Sequence, residues 1–164
     1  MTEQQRIDLL EILQDNPTAE AADIAARLGL EAAAVAAEIA TLSADGVIKA
    51  YRAIIDWDKI GGPHIYAFVD VRVKPEPDFG FDAIAKRLAL FEEVHSLYLI
   101  SGRQDLLLVI EGRDYREVAL FVAEKLAPMK GVESTATSFV LRKYKLDGQV
   151  MMNLTEDQRL AVAP

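Results

Sequence analysis

Along the first third of the chain, apolar side chains recur at helical spacing, and the polar residues between them carry the start and stop signals of three short helices. Thr2 and Gln5 form a capping box ahead of a stripe of Leu9, Leu10, Ile12 and Leu13, which Asn16-Pro17 closes. Thr18 is placed to cap a second helix whose Ile24, Ala25 and Leu28 share a face, and Gly29 supplies the left-handed residue expected at its end. A three-residue turn leads to a third helix with Val35, Ile39 and Leu42 in one stripe, ended by Gly46. Val47 to Trp57 is rich in β-branched and aromatic residues, which predicts a two-stranded wing. Three helices and a wing make residues 1–60 a winged helix-turn-helix domain.

Gly61-Gly62-Pro63 punctuates the chain, and the period then changes from helical to alternating. Ile65, Ala67, Val69, Val71 and Val73 mark one face of a strand. After Pro75-Glu76-Pro77 the spacing of Phe81, Ile84, Ala85 and Leu88 is helical again. Val94 to Ser101 and Leu106 to Glu111 predict a hairpin around Gly102-Arg103-Gln104-Asp105. A helix with Val118, Phe121, Val122 and Leu126 inward follows, then a strand from Val132 to Tyr144. The order βαββαβ is ferredoxin-like, so the expected class is α+β, with residues 61–150 as a second domain and 151–164 as a C-terminal tail. Leu106-Leu107-Leu108-Val109-Ile110 is apolar on both faces, whereas the two helices of this arrangement cover one. The other face calls for a partner, and two-fold self-association satisfies it better than the small wing would.

Composition narrows the chemistry. The 164 residues are 51% hydrophobic, enough to bury a core, and they include no cysteine. That removes disulfides, thiolate nucleophiles and cysteine-based zinc sites, and His64 and His95 are a poor starting set for a metal. No cofactor is implied. The sequence shows neither a charged-then-apolar leader nor an apolar run of bilayer length, so the expected compartment is the cytoplasm, with no membrane partner.

Taken together, Gly46-Val47-Ile48-Lys49-Ala50-Tyr51 with Asp56 and Gly61, then Ser101-Gly102-Arg103-Gln104-Asp105, then Gly131-Val132 with Thr135-Ala136-Thr137, resemble the Lrp/AsnC (feast/famine) family in order and spacing over nearly the whole length. The resemblance implies a transcriptional regulator that joins a winged helix to a ligand-sensing domain. It implies dimers, often assembled into octamers, that bind DNA and respond to amino acids or related metabolites. The matching effector region is Gly102, Arg103, Gln104 and Asp105 with Thr135 and Thr137. Glycine lets backbone N–H groups approach a carboxylate, aspartate holds an ammonium, and hydroxyls adapt. The same residues also have a plain reading, as hairpin-turn and strand formers.

The third helix departs from the family pattern. Its outer face presents Ala33, Ala37, Ala40, Thr41 and Ala44, with no arginine, lysine, asparagine or glutamine for a bidentate base contact; alanine and threonine can touch only a thymine methyl. Residues 1–60 hold five basic and eleven acidic side chains, a balance of −6 out of the chain's −8. This opposes approach to phosphate. Thr41, Lys49 and Arg52 are the DNA-contacting candidates, the latter two on the wing. The expected function is therefore an Lrp/AsnC-type regulator with weakened or atypical DNA binding. Two alternatives stay open: an oligomeric metabolite sensor that binds protein, and, last, a sirohaem-decarboxylase-like enzyme, for which His95 is the histidine the sheet would offer.

Overall fold

The computed structural model describes residues 1–74 and 80–152. The turn Pro75-Glu76-Pro77 and most of the expected tail lie outside the described residues. Two compact units divide the chain, Met1–Ile54 and Ile55–Pro164.

The first unit holds α1 (Glu3–Asp15), α2 (Ala21–Leu28) and α3 (Ala32–Ala44). The capping box forms as the sequence indicates: Gln5 N–H donates to Thr2 Oγ1 at 3.2 Å, and Thr2 N–H donates to Gln5 Oε1 at 2.9 Å. Leu9, Leu13, Ile24, Ala25, Val35 and Leu42 are the buried core, with Leu10, Ile12, Leu28 and Ile39 half-buried around it. Gly29 has φ of +65°, a conformation that costs a β-carbon-bearing residue strain, and this left-handed step turns the chain from α2 toward α3.

Two local expectations are corrected here. Thr18 does not cap α2; its hydroxyl and its N–H both donate to Asn16 Oδ1, at 2.9 and 3.3 Å. Asn16 closes a side-chain turn after α1, and α2 starts three residues beyond Thr18 with Glu20 at a cap position that makes no side-chain bond. Nor do Val47 to Trp57 pair as a hairpin. Residues 49–56 form no strand, and Trp57–Ile60 is a 3₁₀ turn. The segment is rich in strand formers, yet it has no glycine, asparagine or proline between Val47 and Trp57 to reverse the chain, so composition without a turn residue gives an extended segment and no ladder.

The second unit contains β1 (Ile65–Val73), α4 (Asp82–Leu88), β2 (Val94–Leu99), β3 (Leu106–Gly112), α5 (Tyr115–Leu120, continued as a π-helical turn over Phe121–Leu126) and β4 (Val132–Phe139). The four strands form an antiparallel sheet in the order β2-β3-β1-β4, the ferredoxin-like topology. Ala67, Val69, Val71 and Val73 alternate inward with Leu106, Leu108 and Ile110, beneath Ile84 and Leu88 of α4 and Val118, Phe121 and Leu126 of the last helix.

The final strand is shorter than expected, ending at Phe139 instead of Tyr144. Its ladder partner β1 begins at Ile65, and after Ala67 pairs with Phe139 only one further backbone bond forms, from Val140 N–H to the Tyr66 carbonyl at 2.8 Å. The chain then turns into a two-residue hairpin, β5 (Lys145–Leu146) and β6 (Gln149–Val150), around Asp147 and Gly148 at φ of +43° and +84°. Positive φ at both central residues is what the tightest hairpin turn demands, and Asp-Gly supplies it.

The opposite face of the sheet carries Phe68, Asp70 and Arg72 of β1, Leu107 and Val109 of β3, Tyr98 of β2, and Ala136 and Ser138 of β4, the register placing Phe68 beside Val109 and Tyr98 beside Leu107. Neither α4 nor the last helix of this unit packs on it: Phe68 is 44% and Tyr98 53% exposed.

Candidate functional site

Each unit presents its own candidate surface. In the first, α3 turns Ala33, Ala37, Ala40, Thr41 and Ala44 to the outside, all exposed. The Thr41 hydroxyl donates back to the Ala37 carbonyl at 3.0 Å, and Ser43 does the same to Ile39 at 2.8 Å. Neither hydroxyl hydrogen is directed outward. Arg6 is bound to Glu38 of α3 at 2.6 Å. Asp8, Glu11, Asp15, Asn16 and Arg27 line an acidic cleft with Ile12. Lys49 and Arg52 follow α3 on the extended segment, and the Lys49 ammonium folds over Gly46, 3.0 Å from where a β-carbon there would sit. That position, at the C-terminal end of a helix, suits a cation.

In the second unit the turn between β2 and β3 is pinned to the end of β1. Asp105 N–H donates to the Val71 carbonyl at 3.2 Å, and the Ile100 N–H donates to the Asp105 carbonyl at 2.9 Å. The Asp105 carboxylate accepts the Val73 N–H at 2.9 Å, at the point where the register between β1 and β4 shifts. Asp105 thus satisfies a backbone donor of β1 that lies just beyond the end of its ladder with β3. Arg72, which the sequence reading did not single out, donates from Nη2 to the Arg103 carbonyl at 3.0 Å. Gly102 and Arg103 are exposed and Gln104 is half-buried, its Oε1 enclosed and without a hydrogen-bond partner among the described residues.

Thr135 and Thr137 stand across β1 from this turn. Thr135 pairs with Val71, which on its other side pairs with Leu106. Two strand spacings, roughly 10 Å, therefore separate Thr135 from the β3 end of the turn. Both threonines share the helix-facing side of the sheet with Val69 and Val71, whereas Arg72 belongs to the other side. The fold brings the turn and the threonines to one end of the sheet without bringing them into contact across it.

Asp105→Ala is expected to lower stability by about 1–3 kcal/mol by leaving the Val73 N–H without its acceptor. Asp105→Asn, which keeps a carbonyl oxygen, should recover much of this. Equal melting temperatures for Asp105→Ala and the unmodified chain would refute the bracing role.

At the other end of the sheet lies a cluster that periodicity gave no reason to expect. Trp57 stacks on His64 with ring centroids 4.3 Å apart, Tyr66 meets His95 edge-on at 6.5 Å, and His95 Nδ1 is 3.3 Å from Glu111 Oε1. His95 is thus not the sheet's only histidine neighbour. The Lys143 ammonium sits 3.3 Å from the Tyr66 ring centroid, and burial holds its pKa below the ordinary lysine value. Burial, then the hydrogen bond to Glu111, pushes the Tyr66 phenol above its ordinary 10.0. A raised phenol pKa means the fold favours the neutral form, so its stabilising contribution is whole below about pH 10 and is lost as pH climbs beyond that. Melting temperature should therefore fall as pH rises above about 10, and less steeply in Tyr66→Phe. Identical slopes in the two proteins would refute this.

Among the described residues, no group of three or more histidine, aspartate or glutamate side chains is placed to hold a metal ion, and no helix is long and apolar enough to cross a membrane.

Residues 66–150 match the family model described as the Lrp/AsnC ligand binding domain, and residues 3–49 match a winged helix-turn-helix DNA-binding model. An uncharacterised HTH-type transcriptional regulator of Bacillus subtilis, YugG, is 42% identical over 158 residues, covering 96% of this chain and 95% of that protein. The HTH-type transcriptional regulator LrpA of Pyrococcus horikoshii is 31% identical, covering 84% and 94%. Among solved structures, the leucine response regulatory protein LrpA of Mycobacterium tuberculosis superposes with a TM-score of 0.71 at 25% identity, covering 93% of this chain and all of that one. The L-Met complex of a transcriptional regulator from Neisseria meningitidis gives 0.68 at 23%, covering 89% and 94%. With both domains matched in order and relatives aligned almost end to end, the chain belongs to the Lrp/AsnC family of HTH-type transcriptional regulators.

Proposed function

We propose that this regulator responds to an amino acid or a closely related metabolite bound around Gly102, Arg103, Gln104 and Asp105, with Thr135 and Thr137 bordering the same end of the sheet. The observation that carries this reading is the turn itself. A glycine-containing turn, fixed to β1 by backbone and carboxylate bonds, presents exposed backbone beside a guanidinium and an unpartnered amide oxygen. A zwitterion needs both kinds of group. The Neisseria meningitidis regulator named above is described as an L-Met complex, which supports an amino-acid ligand here. In the same reading the chain is a homodimer, or a larger assembly of dimers, held together through the exposed sheet face, in the cytoplasm, without a cofactor or an enzymatic role. DNA is contacted weakly, by Lys49 and Arg52 on phosphates and by Thr41 through at most its methyl group.

Binding to the DNA upstream of the protein's own coding sequence, measured across a salt series with and without each common L-amino acid, tests the whole reading. A salt-dependent affinity that one amino acid alters is the expected result. Amino-acid binding without DNA binding at any salt would favour a sensor that acts on protein, and no amino-acid binding would overturn the ligand assignment.

A further inference from the structure

The 18 lysines and arginines are spread thinly along the sequence, with one exception. Three of them fall within the four residues Arg142-Lys143-Tyr144-Lys145, and no other four consecutive residues carry three. Residues 140–150 hold a single acidic side chain, Asp147, so the segment has a balance of +2 in a chain of −8. We infer that Arg142, Tyr144 and Lys145 form a second DNA-contacting surface, on the second unit, that grips backbone phosphates without reading bases. This rests on the reading of the chain as a regulator that contacts DNA, and it adds a surface outside the winged helix.

The structure separates the roles within the stretch. Val140 N–H donates to the Tyr66 carbonyl at 2.8 Å, which ties the segment to the start of β1. The Lys143 ammonium lies over the Tyr66 ring, 3.3 Å from its centroid, with Asp56, Asp58 and Glu111 close enough to act on its charge. Lys143 is therefore an anchor, while Arg142, Tyr144 and Lys145 on either side of it are exposed. The β5–β6 hairpin orders two of these three, since Lys145 pairs with Val150 and the Met151 N–H donates to the Tyr144 carbonyl at 3.0 Å. A surface whose backbone is already held gives up less entropy when its side chains meet a ligand.

Arg6, Lys59, Arg113 and Lys125 are each engaged by a carboxylate. Arg142 and Lys145 have no such partner among the described residues, so both charges face solvent uncompensated. A guanidinium, an ammonium and a phenol are all donors, and phosphate oxygens are acceptors that a duplex of any sequence presents. Recruitment to an anionic membrane takes clusters of about four to eight basic residues, more than this segment holds. A duplex is also the polyanion to which residues 3–49, matched by a DNA-binding model, already direct the chain.

Fluorescence anisotropy of the full chain on a random-sequence duplex, repeated over a salt series, tests this surface. Arg142→Gln combined with Lys145→Gln is expected to weaken binding roughly tenfold at low salt and to flatten the salt slope by about 2 per subunit engaged. Lys86→Gln combined with Lys130→Gln removes the same charge from exposed positions, Lys130 lying just before the opposite end of β4, and is expected to change both quantities much less. An unaltered affinity and slope in the Arg142 and Lys145 variant would overturn the proposal. Equal losses in the two double variants would overturn it too, by tracing the effect to net charge alone. The same holds if the Arg142 and Lys145 variant keeps its duplex affinity but loses binding to phosphatidylglycerol vesicles. No DNA binding by the unmodified chain at any salt would overturn the DNA-contacting reading itself, and this surface with it.

Discussion

Replacing Leu107 by aspartate is expected to split the assembled protein into monomers that keep their secondary structure. Leu106, Leu108 and Ile110 point into the core of the second unit, but Leu107 and Val109 alternate to the face that neither α4 nor α5 covers. On that face Leu107 is flanked by Tyr98 and Asp70, and Val109 by Ser96 and Phe68. Burying these aromatic and aliphatic side chains against a second copy removes apolar surface from water at about 25 cal/mol per Å². A carboxylate at Leu107 would then be an unpaired buried charge, which costs about 3–5 kcal/mol and weakens association by roughly two to four orders of magnitude. Leu108→Asp is the contrasting case, since Leu108 is fully buried under the helices and the same charge there should abolish folding. Light scattering with circular dichroism separates the two outcomes. A wild-type monomer at micromolar concentration, or an unchanged assembly in Leu107→Asp, would refute the use of this face.

That face is legible in the sequence, because five consecutive apolar residues exceed what one covered side of a sheet can use. The helix stripes and the capping box at Thr2 were legible for the same reason: each is written in residues close together in sequence. The expected wing does not form because composition speaks for strand propensity but says nothing of where a chain reverses, and Val47 to Trp57 contains no glycine, asparagine or proline to reverse it. At the candidate ligand site the turn was visible as Gly102 to Asp105, but Arg72 was not. It sits 31 residues earlier, at a polar position of a strand, where alternation explains it fully as a surface side chain. Only the pairing of β1 with β3 brings it to the turn. Asp105 shows the reverse limit: residue type pointed to a ligand contact, and the end of the β1–β3 ladder gives that carboxylate a backbone donor to satisfy.

Replacing both Lys49 and Arg52 by alanine is expected to reduce DNA affinity by a factor on the order of 10–100, nearly equally for all sequences. The reasoning runs from α3 outward. Its exposed face offers alanine methyl groups at Ala33, Ala37, Ala40 and Ala44, and the one hydroxyl among them, that of Thr41, donates to its own helix. Base edges are discriminated chiefly by bidentate donors and acceptors, which this face lacks. Binding then rests on phosphate contacts, and each contact releases counterions, so affinity falls with a slope of about 0.9 per phosphate in log salt. Two lost contacts should flatten that slope by about 2. The acidic cleft of Asp8, Glu11 and Asp15 opposes phosphate in the same unit, so the starting affinity is expected to be low. The converse substitutions supply the sharper test: arginine at Ala33 and Ala37, both exposed and clear of the buried Val35 and Leu42, should raise affinity and steepen the salt dependence without unfolding the helix. Tight, sequence-specific binding by the unmodified protein near 0.15 M salt would refute the phosphate-only picture. In that event, specificity would have to come from DNA shape or from several weak domains of one oligomer engaging the duplex together.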